Sequence, residues 1–215
     1  MLNIKIFPVN MLQENCYIVS DETKECVIID CGAQYSQEQK AIMQYISSND
    51  LKPVHLLNTH LHFDHVWGNP FIAQTYQLQT EASIHDKFLY DDMSAQFRMF
   101  MGMDFKNDFP CHIARSLDEG DTVIFGTHTF QVIATPGHTP GGICFYCAEE
   151  NAIFCGDSLF RFSIGRTDLP GSNGQALIQS LSQKVLILPA QTVAYPGHGP
   201  STTIGEEQIN NPYLY

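Results

Sequence analysis

Four apolar segments of this chain each end in a short polar segment that carries histidine or aspartate. The segment VHLLNT is followed by HLHFDH at 60–65, FQVIAT by PGH at 136–138, AIFC by GD at 156–157, and TVAY by PGH at 196–198. Polar side chains that follow strands lie in loops, where binding and catalytic groups concentrate. If these four strands end at one edge of the fold, their imidazoles and carboxylates converge on a single site.

The spacing within HLHFDH indicates two metal positions. His60 and His62 alternate, so an extended segment directs both toward one point, whereas Asp64 and His65 can turn toward a second point if a helix begins there. Imidazole and carboxylate ligands without thiolate suit zinc, iron(II) or manganese, and such mixed sites leave positions for water. Water on such an ion ionises near neutral pH. We therefore predict a catalytic centre with two divalent metal ions, expected to be zinc, with iron or manganese as alternatives.

These motifs, in this order and spacing, resemble the metallo-β-lactamase-fold hydrolases, and specifically their glyoxalase II-like branch. The motifs that carry the resemblance are THLHFDH at 59–65, GH at 137–138, GD at 156–157 and GH at 197–198. The run from GDSLF to IGRTDLPG at 156–171 is similar to the short, single-domain, hydroxyacylglutathione hydrolase-like members. The resemblance covers essentially the whole chain. It implies a single domain over residues 1–215 with an αββα sandwich fold, two mixed sheets packed together between helices.

The resemblance also implies the metal ligands. The expected ligands are His60, His62 and His138 on one ion, Asp64, His65 and His198 on the other, and Asp157 bridging the two. Asp64 and Asp157 are the expected catalytic carboxylates, and Asp30, at the end of IIDCG, is expected to support the ligand loop. Arg166 is expected either to pair with a substrate carboxylate or to tie loops together. Because Asp168 would repel a carboxylate, glutathione is not favoured as the thiol carrier.

The expected activity is hydrolysis of a small-molecule thioester, in which hydroxide from metal-activated water attacks the carbonyl and a thiolate leaves. Thiols have a pKa of about 8.5, so a thiolate departs without a proton, whereas an amide nitrogen would need an acid. Two alternatives stay open: a mono-iron persulfide dioxygenase, which has a motif similar to GRTD at 165–168, and a non-catalytic metal-binding protein of the same fold. The residues before GRTD, Phe162-Ser163-Ile164, lack the cysteine usual in the dioxygenase, which favours the hydrolase.

Charge limits the possible partners. Lys and Arg number 11 against 23 Asp and Glu, which leaves a formal net charge of −12. Binding to nucleic acid or to an anionic membrane surface requires a basic patch, and the sequence contains none. No apolar run approaches the roughly 20 residues that span a bilayer. We predict a cytoplasmic protein that binds neither nucleic acid nor membrane; the sequence does not specify its oligomeric state.

Periodicity predicts the main elements. Apolar runs predict strands at 2–7, 16–19, 26–29, 53–57, 122–125, 129–134, 143–147, 152–155 and 192–195. Capping-box patterns predict helices that begin at Ser36, extending to residue 48, and at Ser172. This grouping favours two packed sheets with outer helices, although the pattern alone leaves a doubly wound sheet open.

The remaining polar and aromatic residues are expected to be structural. The Met-rich stretch 84–103 is expected to be core or a lid. Trp67 and the aromatic stretch 97–109 are expected to fill the core, with the lining of a pocket as the alternative. In the strand-like GGICFYCA, Cys144 and Cys147 are three residues apart and should point to opposite faces, which argues against a metal or redox pair. The cysteines as a group are expected to be reduced core thiols. His55, His85, His112 and His128 are expected to be ordinary polar or core residues.

Overall fold

The computed structural model describes residues 1–102 and 112–214, and within them two six-stranded sheets pack face to face. Met103, Cys111 and positions 103–109 of the predicted aromatic stretch lie outside the described residues. Helices cover the outer face of each sheet. The αββα sandwich predicted from the resemblance is confirmed, and the doubly wound alternative is wrong, because the strands belong to two separate sheets.

The first sheet is built from the N-terminal half of the chain in sequence order. Its strands are β1 (Asn3–Val9), β2 (Glu14–Ser20), β3 (Glu25–Ile29), β4 (Lys52–Leu57), β5 (Thr80–Ala82) and β6 (Ile113–Ser116). The first three strands are antiparallel, and from β3 onward the neighbours are parallel. Parallel neighbours end at the same edge, so the loops that follow β3 and β4 lie side by side.

The second sheet has the order β14-β13-β10-β9-β8-β7. Its strands are β7 (Thr122–Phe125), β8 (His128–Ala134), β9 (Ile143–Cys147), β10 (Ala152–Gly156), β13 (Val193–Pro196) and β14 (Thr202–Thr203). A separate hairpin consists of β11 (Leu159–Phe160) and β12 (Ser163–Ile164). Strands β8 and β10 are both antiparallel to β9, and β13 is parallel to β10, so β8, β10 and β13 run in one direction.

The helices connect the strands on the outside of the sandwich. They are α1 (Ser36–Ser48), α2 (Phe63–Val66), α3 (Asn69–Tyr76), α4 (Lys87–Asp91), α5 (Met93–Met101), α6 (Gly174–Ser180) and α7 (Ile204–Asn210). A 3₁₀ turn precedes α4 and a π-helical turn, Leu181–Val185, follows α6. Within the described residues, no helix has the length and apolar character needed to cross a lipid bilayer.

Alternating side chains divide the strands between different cores. In β2, Tyr17 and Val19 face the core between the sheets, while Ile18 packs in the core beneath α1 and α3. In β9, Cys147 lies in the core between the sheets and Cys144 in the core beneath α6, so the predicted opposite orientation is confirmed. The six described cysteines are all buried free thiols.

The helix predicted over residues 36–48 is confirmed as Ser36–Ser48, and α6 begins at Gly174, but the cap residue of each helix lies one position from the predicted serine. The cap of α1 is Tyr35, whose backbone N–H donates to Glu38 at 2.9 Å, rather than Ser36. The cap of α6 is Asn173, whose side chain accepts from the backbone N–H of Ala176. The capping-box pattern identified the correct turns, but another nearby oxygen reached the free backbone N–H groups in each case.

Short elements escaped prediction. Strands β5, β6 and β14 and the β11–β12 hairpin have two to four residues per strand, too few for an alternating pattern. The stretch predicted as core or lid forms the 3₁₀ turn, α4 and α5, with Leu89, Tyr90, Met93 and Phe97 in a separate small core that also contains Phe63.

Candidate metal centre

Four loops bring the predicted ligand residues to one edge of the sandwich. The HLHFDH segment follows β4, His138 follows β8, Asp157 follows β10 and His198 follows β13. Gly156 makes the turn after β10 with φ of +48°, and a side chain there would collide with Thr59 of the first loop. Glycine is required at this position because both the backbone angle and the close approach exclude a Cβ.

The seven predicted ligands lie together as two sets of three with one carboxylate between them. In each set the candidate ligand atoms lie within 4.8 Å of one another; the sets are His60, His62 and His138, and Asp64, His65 and His198. Asp157 contacts both sets, with Oδ1 3.4 Å from His65 Nε2 and Oδ2 3.6 Å from His138 Nε2. The structure thus brings the seven side chains together, and their role as ligands stays a prediction.

One aspartate, Asp30, holds the outer nitrogens of two rings, that of His65 directly and that of His60 through Thr59. Asp30 Oδ2 accepts hydrogen bonds from Thr59 Oγ1 at 2.6 Å and from His65 Nδ1 at 3.0 Å. Because the Thr59 proton goes to Asp30, Thr59 Oγ1 accepts from His60 Nδ1, which lies 3.1 Å away. Both rings are therefore protonated on Nδ1, and in the neutral form of each ring Nε2 carries a lone pair directed inward. Asp30 supports the ligand loop as the sequence predicts.

Backbone carbonyl groups hold the outer nitrogens of two further rings. His138 Nδ1 donates to the carbonyl oxygen of Arg166 at 2.8 Å, and His198 Nδ1 donates to that of Leu12 at 3.1 Å. Since a carbonyl oxygen only accepts, each ring carries a proton on Nδ1, and in its neutral form Nε2 is the nitrogen that can bind a metal. His138 Nε2 lies 2.9 Å from Nδ1 of His62, so two ring nitrogens face each other at the centre of the first set.

The inward atoms lack partners in a buried setting. His60 Nε2, His65 Nε2 and Asp157 Oδ1 are buried and have no hydrogen-bond partner within residues 1–102 and 112–214. Buried polar atoms without partners are costly, and their presence in a native fold calls for an explanation such as an ion. Imidazole nitrogen and carboxylate oxygen are suitable ligands for divalent transition metals. The residues therefore fit a metal centre.

Burial and mutual charge shift the protonation of His60, His62 and Asp157 toward metal binding. Burial and the neighbouring imidazoles of His65 and His62 keep the pKa of His60 well below its usual value, and burial and His138 lower that of His62 to about 3. Burial favours the neutral form of Asp157, but the nearby His65 and His198 outweigh it and hold its pKa well below the usual range. Neutral imidazole and ionised carboxylate are the forms that bind metal. Burial also lowers the pKa of His65 and His198, but Asp64 and Asp157 outweigh it and raise both pKa values, so these two imidazoles must release a proton when metal binds.

Asp86 connects two of the ligand loops. Its buried carboxylate accepts hydrogen bonds from Leu61 N at 3.3 Å, Thr139 Oγ1 at 2.7 Å and Gly141 N at 2.6 Å. The HLHFDH loop and the loop of His138 are thereby held at a fixed separation. The sequence pattern did not indicate this residue, because Asp86 is distant along the chain from both loops and belongs to no ligand motif.

Strand β2 holds the loop of His198. Asn15 Nδ2 donates to the carbonyl oxygens of Pro196 at 3.1 Å and Gly199 at 2.9 Å, and Tyr17 Oη donates to that of Pro196 at 2.6 Å. These contacts join the first sheet to the last ligand loop across some 180 residues of chain. Polar residues within an otherwise apolar strand were the available signal.

The side chain and the backbone of Arg166 have different partners. Its guanidinium forms two hydrogen bonds with Asp168, at 2.7 and 2.8 Å, while its backbone carbonyl accepts from His138. The backbone of Arg166 thus helps to orient a candidate ligand, and its side chain stands beside the site. Its predicted role in binding substrate stays a prediction.

Two of the histidines predicted to be structural have side-chain partners elsewhere in the fold. His128 lies between Asp21 and Glu150, and His55 between Glu81 and the carbonyl oxygen of Ile124. His128 begins β8, whereas His138 follows the end of that strand, so His128 lies at the opposite end of the sandwich from the cluster.

Comparisons with known proteins agree with this architecture. The family model of the Metallo-beta-lactamase superfamily matches residues 9–198. Hydroxyacylglutathione hydrolase GloC of Haemophilus influenzae is 36% identical over 214 residues, which cover 99% of this chain and 98% of that protein. The crystal structure of the B3 metallo-beta-lactamase BLEG-1 superposes with a TM-score of 0.88 at 34% identity and covers 100% of this chain and 99% of that chain. A di-iron-bound form of TTHA1623 superposes with a TM-score of 0.84 at 37% identity, covering 98% and 100%.

Proposed function

This chain belongs to the metallo-beta-lactamase superfamily, and we propose that within it residues 1–215 form a single-domain, binuclear thioester hydrolase of the glyoxalase II type. The proposed substrate is a small-molecule thioester in the cytoplasm. The proposed ligands are His60, His62 and His138 for one ion, Asp64, His65 and His198 for the other, and Asp157 for both. We propose zinc as the metal; the di-iron form of TTHA1623 makes iron the alternative to test.

The observation that carries the proposal is the orientation of the imidazoles. His60, His65, His138 and His198 each have Nδ1 engaged by an oxygen acceptor, which leaves four Nε2 atoms directed toward one centre. Hydrogen bonds of this kind fix the tautomer and orientation of a metal-binding imidazole. Two complete sets of three ligands favour a pair of ions over the single iron of the alternative dioxygenase.

The chemistry divides between the ions and the protein. When bound, a pair of divalent ions lowers the pKa of water and stabilises negative charge on a carbonyl oxygen. The ionised Asp64 orients the attacking water by accepting a hydrogen bond from it, since its carboxylate faces the cluster 3.3 Å from His198 Nε2. The water loses a proton to solvent as its oxygen adds to the carbonyl carbon, the carbon–sulfur bond breaks, and the sulfur leaves with the bonding electrons as a thiolate, which takes up a proton from solvent.

A thioester fits this site better than an amide because a thiolate leaves without being protonated. An amine leaving group would require a proton. Three carboxylates near the cluster already have partners: Asp86 accepts three hydrogen bonds, Asp92 accepts from Ala95 N, and Asp168 accepts from Arg166. The GloC relative, named a hydroxyacylglutathione hydrolase, supports the same class of reaction.

The test combines metal analysis with a thioester assay on the same preparations. The wild-type protein should bind two equivalents of metal and release thiol from thioesters, detected with a thiol-reactive dye. Asp157→Asn and His60→Ala should lose at least half of the metal and a factor of about 100 or more in kcat/KM. His128→Gln is the matched control, because it removes a buried histidine at the other end of the sandwich and should leave both quantities unchanged.

Three other outcomes would contradict the proposal in part or entirely. Full turnover in Asp157→Asn would refute the assignment of that residue. Metal binding without thiol release, together with oxygen uptake on a persulfide substrate, would establish the dioxygenase alternative instead. A protein that binds no divalent metal after reconstitution would refute the proposal entirely.

A further inference from the structure

A cavity of about 440 Å³ opens beside the cluster, between α4, α5 and the loop at Leu169–Pro170. Its volume is typical of cavities that hold small molecules. Its wall is mostly apolar and is formed by Phe88, Leu89, Met99, Phe100, Leu169 and Pro170. Phe88 is 44% exposed and Met99 55% exposed, so two large apolar side chains stand open to solvent on the same cavity. Exposed apolar side chains that converge in this way mark a binding surface.

The cavity is continuous with the metal centre through His62. That residue lines the cavity, and its Nδ1 lies 2.9 Å from Nε2 of His138. The ring of Phe100 packs edge-on against His62, with the ring centroids 6.1 Å apart, and lies at 35° to the ring of Phe63, with centroids 5.3 Å apart. A ligand in the cavity therefore lies next to the first set of candidate metal ligands.

The buried amide of the wall, Gln96, is already engaged by the protein. Gln96 accepts from the backbone N–H of Phe63 at 2.9 Å and donates to the carbonyl oxygens of Leu61 at 3.0 Å and Leu89 at 2.8 Å. Its amide thus holds the HLHFDH loop against α4 and α5, and its hydrogen-bonding capacity is directed away from a ligand. Such a cavity favours ligands that bury a larger apolar area in it.

The charges around the cavity disfavour an anionic ligand. Asp91 and Asp92 contribute exposed carboxylates to its wall. The guanidinium of Arg166 lies 6.0 Å from the Phe100 ring but is paired with Asp168, so the two side chains together add no net charge. Asp91 is in turn paired with Lys87, so the charged side chains named here, together with Asp92, leave a net charge of −1 that disfavours an anionic thiol carrier.

We propose that this cavity binds an uncharged, apolar group of the substrate, so that the preferred substrates are neutral thioesters with an apolar chain rather than thioesters of anionic carriers. This inference rests on the proposed thioester hydrolysis and adds the substrate class. Water is the second reactant, and the products are a carboxylic acid and a thiol. The apolar chain belongs either to the acyl group or to the thiol, and the experiment distinguishes the two.

Two homologous series of thioesters provide the test on the metal-loaded protein. One series lengthens the acyl chain of N-acetylcysteamine thioesters from acetyl to octanoyl, and the other lengthens the thiol of alkyl thioacetates from ethyl to octyl. A buried methylene contributes about 0.8 kcal/mol, so kcat/KM should rise about fourfold per methylene in the series whose chain enters the cavity. The other series should change little. Equal kcat/KM at every length in both series would overturn the inference.

Variants locate the effect in the cavity. Met99→Gln should reduce the gain per methylene at least twofold, because it replaces an apolar wall side chain with an amide. Met43→Gln is the matched control: Met43 is 41% exposed on α1 and does not line this cavity. An unchanged gain in Met99→Gln would overturn the placement of the chain.

Carrier charge is tested with thioesters that share one acyl group. The glutathione thioester should have a lower kcat/KM than the N-acetylcysteamine thioester at low salt, with the difference shrinking as salt rises. Asp168→Asn should raise kcat/KM for the glutathione thioester by freeing the guanidinium of Arg166. A glutathione thioester preferred by the wild-type protein would overturn the charge selection.

Binding of non-hydrolysable thioethers separates this inference from the proposed function. Calorimetry with S-alkyl N-acetylcysteamines of increasing length should show the same tightening per methylene without any turnover. If affinity rises with length and no thioester is hydrolysed, the cavity inference stands and the proposed function fails. If thioesters are hydrolysed and neither affinity nor kcat/KM depends on chain length, the proposed function stands and the cavity inference fails.

Discussion

Replacing Asp30 by asparagine removes one charge and leaves the backbone unchanged. Asp30 has φ of +51°, a conformation that asparagine also tolerates, so the turn after β3 should persist. With the amide oxygen kept at the Oδ1 position, which accepts from Thr59 N at 2.8 Å, the new NH₂ group faces two donors. These are Thr59 Oγ1 and His65 Nδ1, which donate to Asp30 Oδ2 in the wild-type protein.

The expected effect on stability follows from the two lost hydrogen bonds. Each joins a donor to a buried charged acceptor, and such bonds contribute about 1.5–3 kcal/mol apiece. We expect the free energy of unfolding of the metal-free protein to fall by about 3–6 kcal/mol, measured by urea denaturation. Loss of the Asp30 contact also frees the ring of His65, so metal affinity should fall about 10- to 100-fold, measured by competition with a chromophoric chelator.

Asp21→Asn is the matched control for this experiment. Asp21 is a buried carboxylate that accepts hydrogen bonds from Thr23, Thr127 and His128, so its loss should also cost stability. It contacts no candidate ligand, so metal affinity should stay at the wild-type value. Metal affinity of Asp30→Asn within twofold of wild type would refute the role of Asp30 in orienting His65.

Three further changes test the site, the core and the electrostatics. Gly197→Ala should reduce bound metal and kcat/KM at least tenfold. The added Cβ would collide with Asp157 Oδ1 and lie 2.6 Å from His65 Cε1. Unchanged metal content in mass spectrometric analysis would contradict this expectation. Phe154→Ala should lower the free energy of unfolding by about 3–5 kcal/mol in urea denaturation, because the ring is fully buried in the core between the sheets, and a loss below 1 kcal/mol would argue against that packing. Burial lowers the pKa of His128, but Asp21 and Glu150 outweigh it and raise the pKa. The protonated His128 therefore stabilises the fold fully below about pH 6.5, and this contribution is lost as the pH rises through the raised pKa. The difference in unfolding free energy between wild type and His128→Gln should therefore be smaller at pH 9 than at pH 6, and an equal difference at both pH values would contradict the assignment.

Several features followed from local sequence alone. Polar residues at the ends of apolar strands located the site, because strands that run in one direction present their following loops at the same edge. The two-residue period of GGICFYCA placed Cys144 and Cys147 on opposite faces, since successive side chains of a strand alternate. These are properties of a few consecutive residues, so a single segment is sufficient to predict them.

Other features needed contacts between distant parts of the chain. Asp86 and Gln96 hold the HLHFDH loop from elements that no motif connects to it. Asp168 pairs with the guanidinium of Arg166 and thereby limits which other groups that side chain can bind. The helix caps lie at Tyr35 and Asn173 rather than at the predicted serines for the same reason, because the oxygen that satisfies a free N–H depends on the local approach of the backbone.

The amino-acid sequence by itself determined which chemical groups this protein places at one edge of its fold and which family it resembles, because those depend on residue identity and short-range periodicity. The tertiary structure alone decided which nitrogen of each imidazole faces inward and what lies beside His62. Both depend on partners such as Asp30 and on the packing of α4 and α5, and hydrogen bonds and cavities form between segments whose separation only the folded chain defines.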